Sequence, residues 1–386
     1  MTLTRVKIGQ LGKIITGKTP PTAKKEFYNG DFPFITPTDI YAFDIKHLKS
    51  TERSLSDLWQ KKASKYLLPK NSICYVCIGS TVGKLTMNEK PSFTNQQINS
   101  IICNDEIINQ DYFYYKLRIE TPKIRSVANS RGAGKPIINK TGFENIEIDI
   151  IQDIKQQEKI AEVLSNYDSL IENNNRQIEI LEETLKVVYK EWFIKDISDQ
   201  NKKDMLTEYV DFVRGVEPGS NNYMNETGDG LLPFLRVGDL GSRNSELFIN
   251  EDLAKGKILK EDDIVLTLDG TVGIVKIGME GCYSTGIRKL KILNNHISKV
   301  FLYCLMKSED IQKTIKSNAK GTTIMHAGSA VNKMEFSLPP QDIMDKFSEI
   351  TEPLLKEILI LNKKNRNLIS TRDLLLPKLM SGEIEL

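Results

Sequence analysis

A chain of 386 residues with 40% hydrophobic residues holds enough material for two or three cored domains, which excludes a disordered segment or a miniature disulfide scaffold. Its formal net charge of +2 gives no overall basic field, so any attraction to nucleic acid must come from local patches. The five cysteines (Cys74, Cys77, Cys103, Cys282, Cys304) lie in apolar runs without paired spacing, which suits reduced thiols in a cytoplasmic protein, and no apolar stretch reaches the roughly 18 residues of a membrane span.

Residues 1–150 read as a strand-rich module punctuated by turns at Lys18-Thr19-Pro20-Pro21, Asn29-Gly30 and Arg131-Gly132-Ala133-Gly134. Within it Pro33-Phe34-Ile35 leads to Asp39-Ile40, and the apolar run from Ile73 to Ile78 meets Gly79-Ser80-Thr81-Val82-Gly83. Residues 151–197 change character. Ile160, Leu164, Tyr167, Ile171, Ile178, Leu181, Leu185, Val188 and Trp192 follow the 4-3 spacing of a coiled-coil seam, interrupted only by Asn174. Residues 198–338 return to the strand-rich texture. Residues 339–386 carry Phe347, Leu354, Leu361, Leu368 and Leu375 at intervals of seven, with Ile358, Asn365, Arg372 and Leu379 in the alternating slots. Asn174 and Asn365 either fix the register of the seam or mark where the helices splay. Pro353 removes a helix hydrogen bond, so a bend or a helix N-terminus is expected there.

The second half restates the first. Pro233-Phe234-Leu235 leads to Asp239-Leu240, and Ile264 to Leu268 meets Asp269-Gly270-Thr271-Val272-Gly273. Phe301-Leu302-Tyr303-Cys304-Leu305 answers Phe113-Tyr114-Tyr115-Lys116-Leu117, and Gln341-Asp342-Ile343 answers Gln152-Asp153-Ile154. The offset drifts from 200 to 188, so a whole module has been duplicated and short loops have since changed length. Solenoid repeats run at about 20 to 50 residues and do not describe it. A seam this long must be buried against something, and its simplest partner is the matching seam of the same chain. Each helix of about 40 residues would span about 60 Å, enough to hold two globular modules apart.

No catalytic signature is present. The phosphate loop G-x-x-x-x-G-K-[ST], H-E-x-x-H and G-x-S-x-G are all missing. Thr19-Pro20-Pro21-Thr22 and Leu338-Pro339-Pro340-Gln341 have the prolines of a base methyltransferase motif without its amide or acid and its aromatic. Gly79-Ser80-Thr81-Val82-Gly83-Lys84 lacks phosphate-loop spacing and reads as strand, turn, strand. Cys74-x-x-Cys77 has no companion pair and reads as core. His47, His296 and His326 have no acidic or thiol partner at ligand spacing, so no metal is expected. What the turns do offer is glycine next to hydroxyls and cations, which suits phosphates and base edges. In the first copy these are Lys18, Thr36, Ser80, Thr81, Lys84, Arg131 and Lys135. In the second they are Arg214, Arg236, Arg243, Thr271, Lys320, Thr322 and Thr323.

With the repeat in view, the chain resembles the specificity subunits of Type I restriction-modification systems over essentially its full length. The resemblance rests on Gln156-Gln157-Glu158-Lys159-Ile160-Ala161, on Tyr189-Lys190-Glu191-Trp192-Phe193, and on the tail from Arg372-Asp373-Leu374-Leu375-Leu376-Pro377 through Lys378-Leu379-Met380-Ser381-Gly382-Glu383-Ile384. It implies an α+β fold: two strand-rich α/β target-recognition domains separated by two long antiparallel coiled-coil helices, in a pseudo-two-fold internal repeat. It also implies a non-catalytic reader of a split site in double-stranded DNA, docked by two modification (methyltransferase) subunits and joined by restriction (translocase and nuclease) subunits, with no membrane partner. On that plan this chain binds no cofactor, and S-adenosylmethionine, ATP and Mg belong to the partners. Copy two has Asp269-Gly270 where copy one has Gly79-Ser80, and Arg236 where copy one has Thr36, so the two half-sites should differ. The alternative from another class is a coiled-coil adaptor whose globular ends bind protein. A standalone nuclease or methyltransferase is disfavoured by the missing motifs.

Overall fold

The computed structural model describes residues 2–40, 46–48, 50–129, 136–194, 203–242, 247–322 and 324–386. Its contacts divide the chain into two compact units, Met1–Glu172 with Asn367–Leu386 and Asn173–Arg366. The division falls inside the two long helices, Ile154–Phe193 and Gln341–Ser381, and not at their ends. Periodicity in the sequence changes where the helices begin, near residues 150 and 338. A helix, however, belongs physically to the core that buries its apolar stripe, so each unit takes a stretch of both.

In the first unit Leu3–Lys7 pairs antiparallel with Glu147–Ile151. The main sheet runs in the order Gly12–Thr16, Ile98–Cys103, Ile73–Val76, Leu85–Asn88, His47–Leu48. Ile73–Val76 is buried at every position, as a strand covered on both faces must be, and this accounts for its unbroken apolar run. A smaller sheet joins Ser54–Leu55, Tyr28–Ile35 and Phe93–Thr94, the last two parallel. The helix Gln110–Asn129 starts at Asn109, whose Oδ1 accepts from the Tyr112 N–H at 3.0 Å. Tyr112 to Leu117 are all buried, so this helix is covered around its whole circumference there, with the buried Lys116 paired to Glu120 at 3.0 Å.

The second unit repeats the plan. Asp204–Met205 pairs with Glu335–Phe336. The main sheet runs Val210–Arg214, Ile287–Ile292, Ile264–Thr267, Val275–Lys276. The smaller one runs Phe248–Asn250, Leu231–Leu235, Gly281–Tyr283, Ile258–Leu259. The parallel pairs Phe34↔Phe93 and Phe234↔Cys282 occupy the same place in the two copies. Where the first unit has one 20-residue helix, the second has Lys299–Lys307 and Glu309–Ser317, parted at Ser308, which is extended with ψ 153°.

The helix seams differ from the sequence reading in three places. Gln341–Ser381 runs unbroken through Pro353, so the expected restart does not occur; the ring lies on the exposed face, where a missing hydrogen bond is reached by water. Phe347, Ile358, Leu361, Asn365, Arg372 and Leu379 are buried as expected, but Leu354, Leu368 and Leu375 are half-buried and the residues after them, Leu355, Ile369 and Leu376, are buried instead. In the first helix Asp168, and not Tyr167, points inward. The helices run antiparallel within each unit. Asp168 meets Arg372 in the first, and Phe193 meets Phe347 with ring centroids 4.8 Å apart in the second. Asn174 and Asn365 do pair: Asn174 Nδ2 donates to Asn365 Oδ1 at 2.8 Å, and Asn365 Nδ2 donates to Asn175 at 2.9 Å. Among the described residues no helix is long and apolar enough to cross a membrane.

Candidate nucleic-acid interface

Thr36 and Arg236 open equivalent turns. In each unit the backbone N–H of that residue donates to Oδ2 of the aspartate three positions on, Asp39 or Asp239, at 2.8 Å. The aspartate N–H returns to the carbonyl of residue 36 or 236 at 3.0 Å. This closed ring explains why an aspartate recurs there while its partner is free to vary. Thr36 is buried and commits its hydroxyl hydrogen to Asp39 at 2.6 Å. Arg236 is exposed, with Nε 3.3 Å from Asp239.

The glycine turns are likewise built on one frame. Gly79 N–H donates to Pro136 O at 2.9 Å and Gly270 N–H to Met325 O at 2.8 Å, while Gly83 N–H reaches Val76 O at 3.0 Å and Gly273 N–H reaches Thr267 O at 2.8 Å. Gly79 therefore matches Gly270 and Gly83 matches Gly273, and the second turn is one residue shorter. This corrects the sequence pairing of Asp269-Gly270 with Gly79-Ser80: Asp269 stands where the first copy has Ile78. Gly83 has φ +97° and Gly273 φ +87°, a region that glycine enters without penalty. A Cβ at either would strike the module helix, Thr121 at 2.6 Å or Gln312 at 2.6 Å. The turn is also pinned to that helix, Arg125 Nε donating to Val82 O at 2.8 Å and Gln312 Nε2 to Gly273 O at 3.0 Å.

Around this turn the second unit gathers charge. Arg214 and Arg288 are register partners across the sheet. Arg288 Nη2 stands 4.0 Å from Asp269 Oδ2, and His326 Nδ1 is 2.7 Å from Asp269 Oδ1. His326 and Lys320 exchange backbone hydrogen bonds at 2.8 and 3.0 Å. Burial pushes the Arg288 guanidinium below its ordinary pKa; Asp269 opposes this and Arg214 adds to it. Thr271, on the same turn, is exposed. Val237, next to Arg236, lies against the turn, since a Cβ on Gly270 would meet it at 3.5 Å. Of the residues proposed from sequence in this unit, Arg214, Arg236, Thr271 and Lys320 thus collect at one end of the sheets, with Thr322 exposed nearby in the chain.

In the first unit Lys18 is exposed, its Nζ 5.6 Å over the Tyr66 ring. Ser80 is exposed at the turn, and Thr81 and Lys84 are half-buried, the Lys84 N–H donating to Thr81 O at 3.2 Å. Arg131, Lys135, Arg243 and Thr323 lie outside the described residues. Sequence reasoning missed Asp269, Arg288 and His326. It also set the histidines aside for want of acidic partners, whereas His326 meets Asp269 and His47 Nδ1 lies 3.1 Å from Glu172. These pairs join positions 57 and 125 residues apart, beyond any local spacing rule.

Comparison with known proteins decides the family. The family described as Type I restriction modification DNA specificity domain matches residues 2–183 and 205–370. The Type I restriction enzyme MjaIX specificity subunit of Methanocaldococcus jannaschii is 29% identical, covering 98% of this chain and 92% of its own length. The HindI specificity subunit of Haemophilus influenzae is 38% identical over 36% of this chain and 30% of its own. In fold the chain is similar to the crystal structure of the Type I system S subunit from M. genitalium, with TM-score 0.54, 19% identity, and 98% and 96% of the two chains covered. The chain belongs to the Type I restriction-modification specificity subunits. It is a DNA sequence-specificity subunit and not an enzyme in its own right.

The family motifs of this specificity subunit turn out to be fastenings between module and helix. Gln157 is fully buried, its Nε2 donating to Ile151 O at 2.6 Å and its Oε1 accepting the Asn109 N–H at 2.7 Å. Tyr189 and Phe193 pack with Phe301 and Phe347 in the second unit. In the tail Leu376, Leu379 and Met380 enter the first unit's core, and Arg372, wholly buried, binds Asp168, which also accepts the Tyr115 hydroxyl. Burial alone would lower the Arg372 pKa, but Asp168 and Asp373 hold it above its ordinary value. The corresponding tyrosine of the second unit, Tyr303, donates instead to Glu182 at 2.6 Å, with Lys307 3.0 Å away.

Proposed function

We propose that this specificity subunit reads a bipartite, asymmetric site in double-stranded DNA, one half with each unit, and carries two modification subunits and the restriction subunits on its long helices. S-adenosylmethionine, ATP and Mg reside on those partners, the assembly works in the cytoplasm, and the length of the helices sets the gap between the specified half-sites. The observation that supports this reading is the pair of matched backbone frames with different side chains at their sheet ends. A frame held constant by Asp39/Asp239 and Gly83/Gly273 while Thr36 becomes Arg236 is what two half-sites of different sequence require.

The test is exchange. Replacing residues 200–338 by those of another specificity subunit, in cells that hold the modification subunit, should change one block of the methylated motif and leave the other intact. Four residues added to each long helix, about 6 Å of rise, should lengthen the gap by roughly one to two base pairs at 3.4 Å each. If both blocks changed in the exchange, or neither, assignment of one unit to one half-site would fail. Weak, salt-insensitive binding to DNA by the assembled complex would favour the adaptor instead.

A further inference from the structure

The two frames can be superposed by their hydrogen bonds, and the comparison isolates four positions. Gly17 and Gly215 are equivalent: a Cβ on either would lie 2.2 or 2.1 Å from a strand carbonyl, Asn95 O or Tyr283 O. The residues before them, Thr16 and Arg214, face Asn99 and Arg288 in matching register. Ile78 is bridged to Ile137 where Asp269 is bridged to His326. Thr16, Asn99, Ile78 and Ile137 of the first unit therefore stand where the second has Arg214, Arg288, Asp269 and His326. One copy is wholly neutral there, with Thr16 donating to Asn99 Oδ1 at 2.7 Å, and the other wholly ionisable.

This inference rests on the reading of the chain as a DNA reader and deepens it. We infer that Arg214 and His326 are specificity-determining residues of the second unit, Arg214 reading a guanine through its O6 and N7 in the major groove, with Asp269 and Arg288 as positioning residues. Opposing two arginines directly across a ladder is unfavourable for folding alone. Arg288, only 12% exposed, is turned inward, donating to the carbonyls of Thr285 and Ile287 and facing Asp269. It thereby holds the carboxylate that orients His326, whose side chain is 63% exposed. Arg214 is left exposed at the rim. The carboxylate in the middle of the group argues against a phosphate, which it would repel. A neutral edge presenting two acceptors to a guanidinium meets no such opposition, and only guanine presents O6 and N7 side by side.

The experiment uses the full subunit with its modification subunit and reads the methylated motif by modification-aware sequencing, together with binding to the cognate duplex at several salt concentrations. Arg214→Ala should relax one guanine in one block and weaken cognate binding about 10-fold or more, leaving the other block and the gap unchanged. To separate loss of a base contact from misfolding, R214T/R288N supplies the pair that the first unit already carries on this frame; it should fold and lose the same guanine. An unchanged motif in both variants would overturn the inference, as would a uniform loss across all sequences with a reduced salt slope, which marks a phosphate contact. Failure of the underlying reading is seen separately, as an exchange of residues 200–338 that leaves the motif unaltered.

Discussion

Replacing Asp168 by asparagine should cost the first unit about 3–5 kcal/mol, although the side chains have nearly the same shape. Arg372 is 0% exposed and Asp168 2%. Asp373 still bonds Arg372 Nε at 2.9 Å but is itself 42% exposed, so solvent weakens its compensation. Removing the inner negative charge leaves a buried guanidinium whose Nη2 already lacks a partner, and the asparagine amide offers one oxygen where Arg372 and the Tyr115 hydroxyl each bond their own carboxylate oxygen. Arg372→Met should cost a similar amount by stranding Asp168. The double variant Asp168→Asn/Arg372→Met should recover most of the loss, because the penalty lies in an uncompensated charge and not in the absence of the pair. The assay follows from the two tryptophans. Trp59 is buried in the first unit and Trp192 lies in the second, so a Trp192→Phe background reports unfolding of the first unit alone and avoids forcing one free energy on a two-unit chain. For a unit of this size each kcal/mol moves the midpoint by about 2–4 °C, so each single variant should fall by roughly 6–20 °C. A loss below about 1 kcal/mol for Asp168→Asn, or simple addition of the two losses in the double variant, would refute the argument.

The glycine turn gives a graded comparison. Gly83→Ala meets both a positive φ and two helix atoms within 2.8 Å, and should destabilise by about 2–4 kcal/mol, whereas Gly79→Ala has the same φ but nothing nearer than 3.8 Å and should cost about 1 kcal/mol, both read by Trp59 unfolding. Burial pushes the thiols of Cys74, Cys77, Cys103 and Cys304 up to about 12 and that of Cys282 to about 11. Iodoacetamide at pH 8 should therefore leave the buried Cys74, Cys77, Cys282 and Cys304 nearly unmodified in the native chain, label the half-buried Cys103 slowly, and alkylate all five in denaturant; rapid native labelling at any of the four would contradict the burial. Asn365→Ala removes the acceptor of the Asn174 amide and one donor to Asn175, and should cost about 1–3 kcal/mol in the second unit, measured through Trp192 in a Trp59→Phe background. An Asn174→Leu/Asn365→Leu variant should lose less than the single one.

Much of the architecture could be read along the chain because its causes are local. Heptad spacing marked both long helices, and recurrence of Asp39/Asp239, of the glycine turns and of Phe113/Phe301 marked the duplication, since each motif serves a turn or core position that the second copy must fill again. Local spacing could not decide which of two adjacent residues points inward. Tyr167 and Leu354 suit a seam as well as Asp168 and Leu355 do, and the choice falls to what the module packs against each helix: Tyr115 and Arg372 draw Asp168 in. Pro353 looked like a bend or a helix start because a proline's cost is counted within its own helix, while an exposed face lets water meet the lost bond. The charged group at the second sheet end was invisible for a related reason. Arg214, Arg288, Asp269 and His326 come from four separate segments, and only pairing of strands across the sheet and of the post-helix loop with the glycine turn brings them together. Sequence determined that there are two copies and two helices, through periodicities repeated residue by residue. Tertiary structure decided which side chains the copies present, because that depends on hydrogen bonds between residues far apart in the chain, and a one-residue deletion before Gly273 shifts the match without leaving a sign in the motif itself.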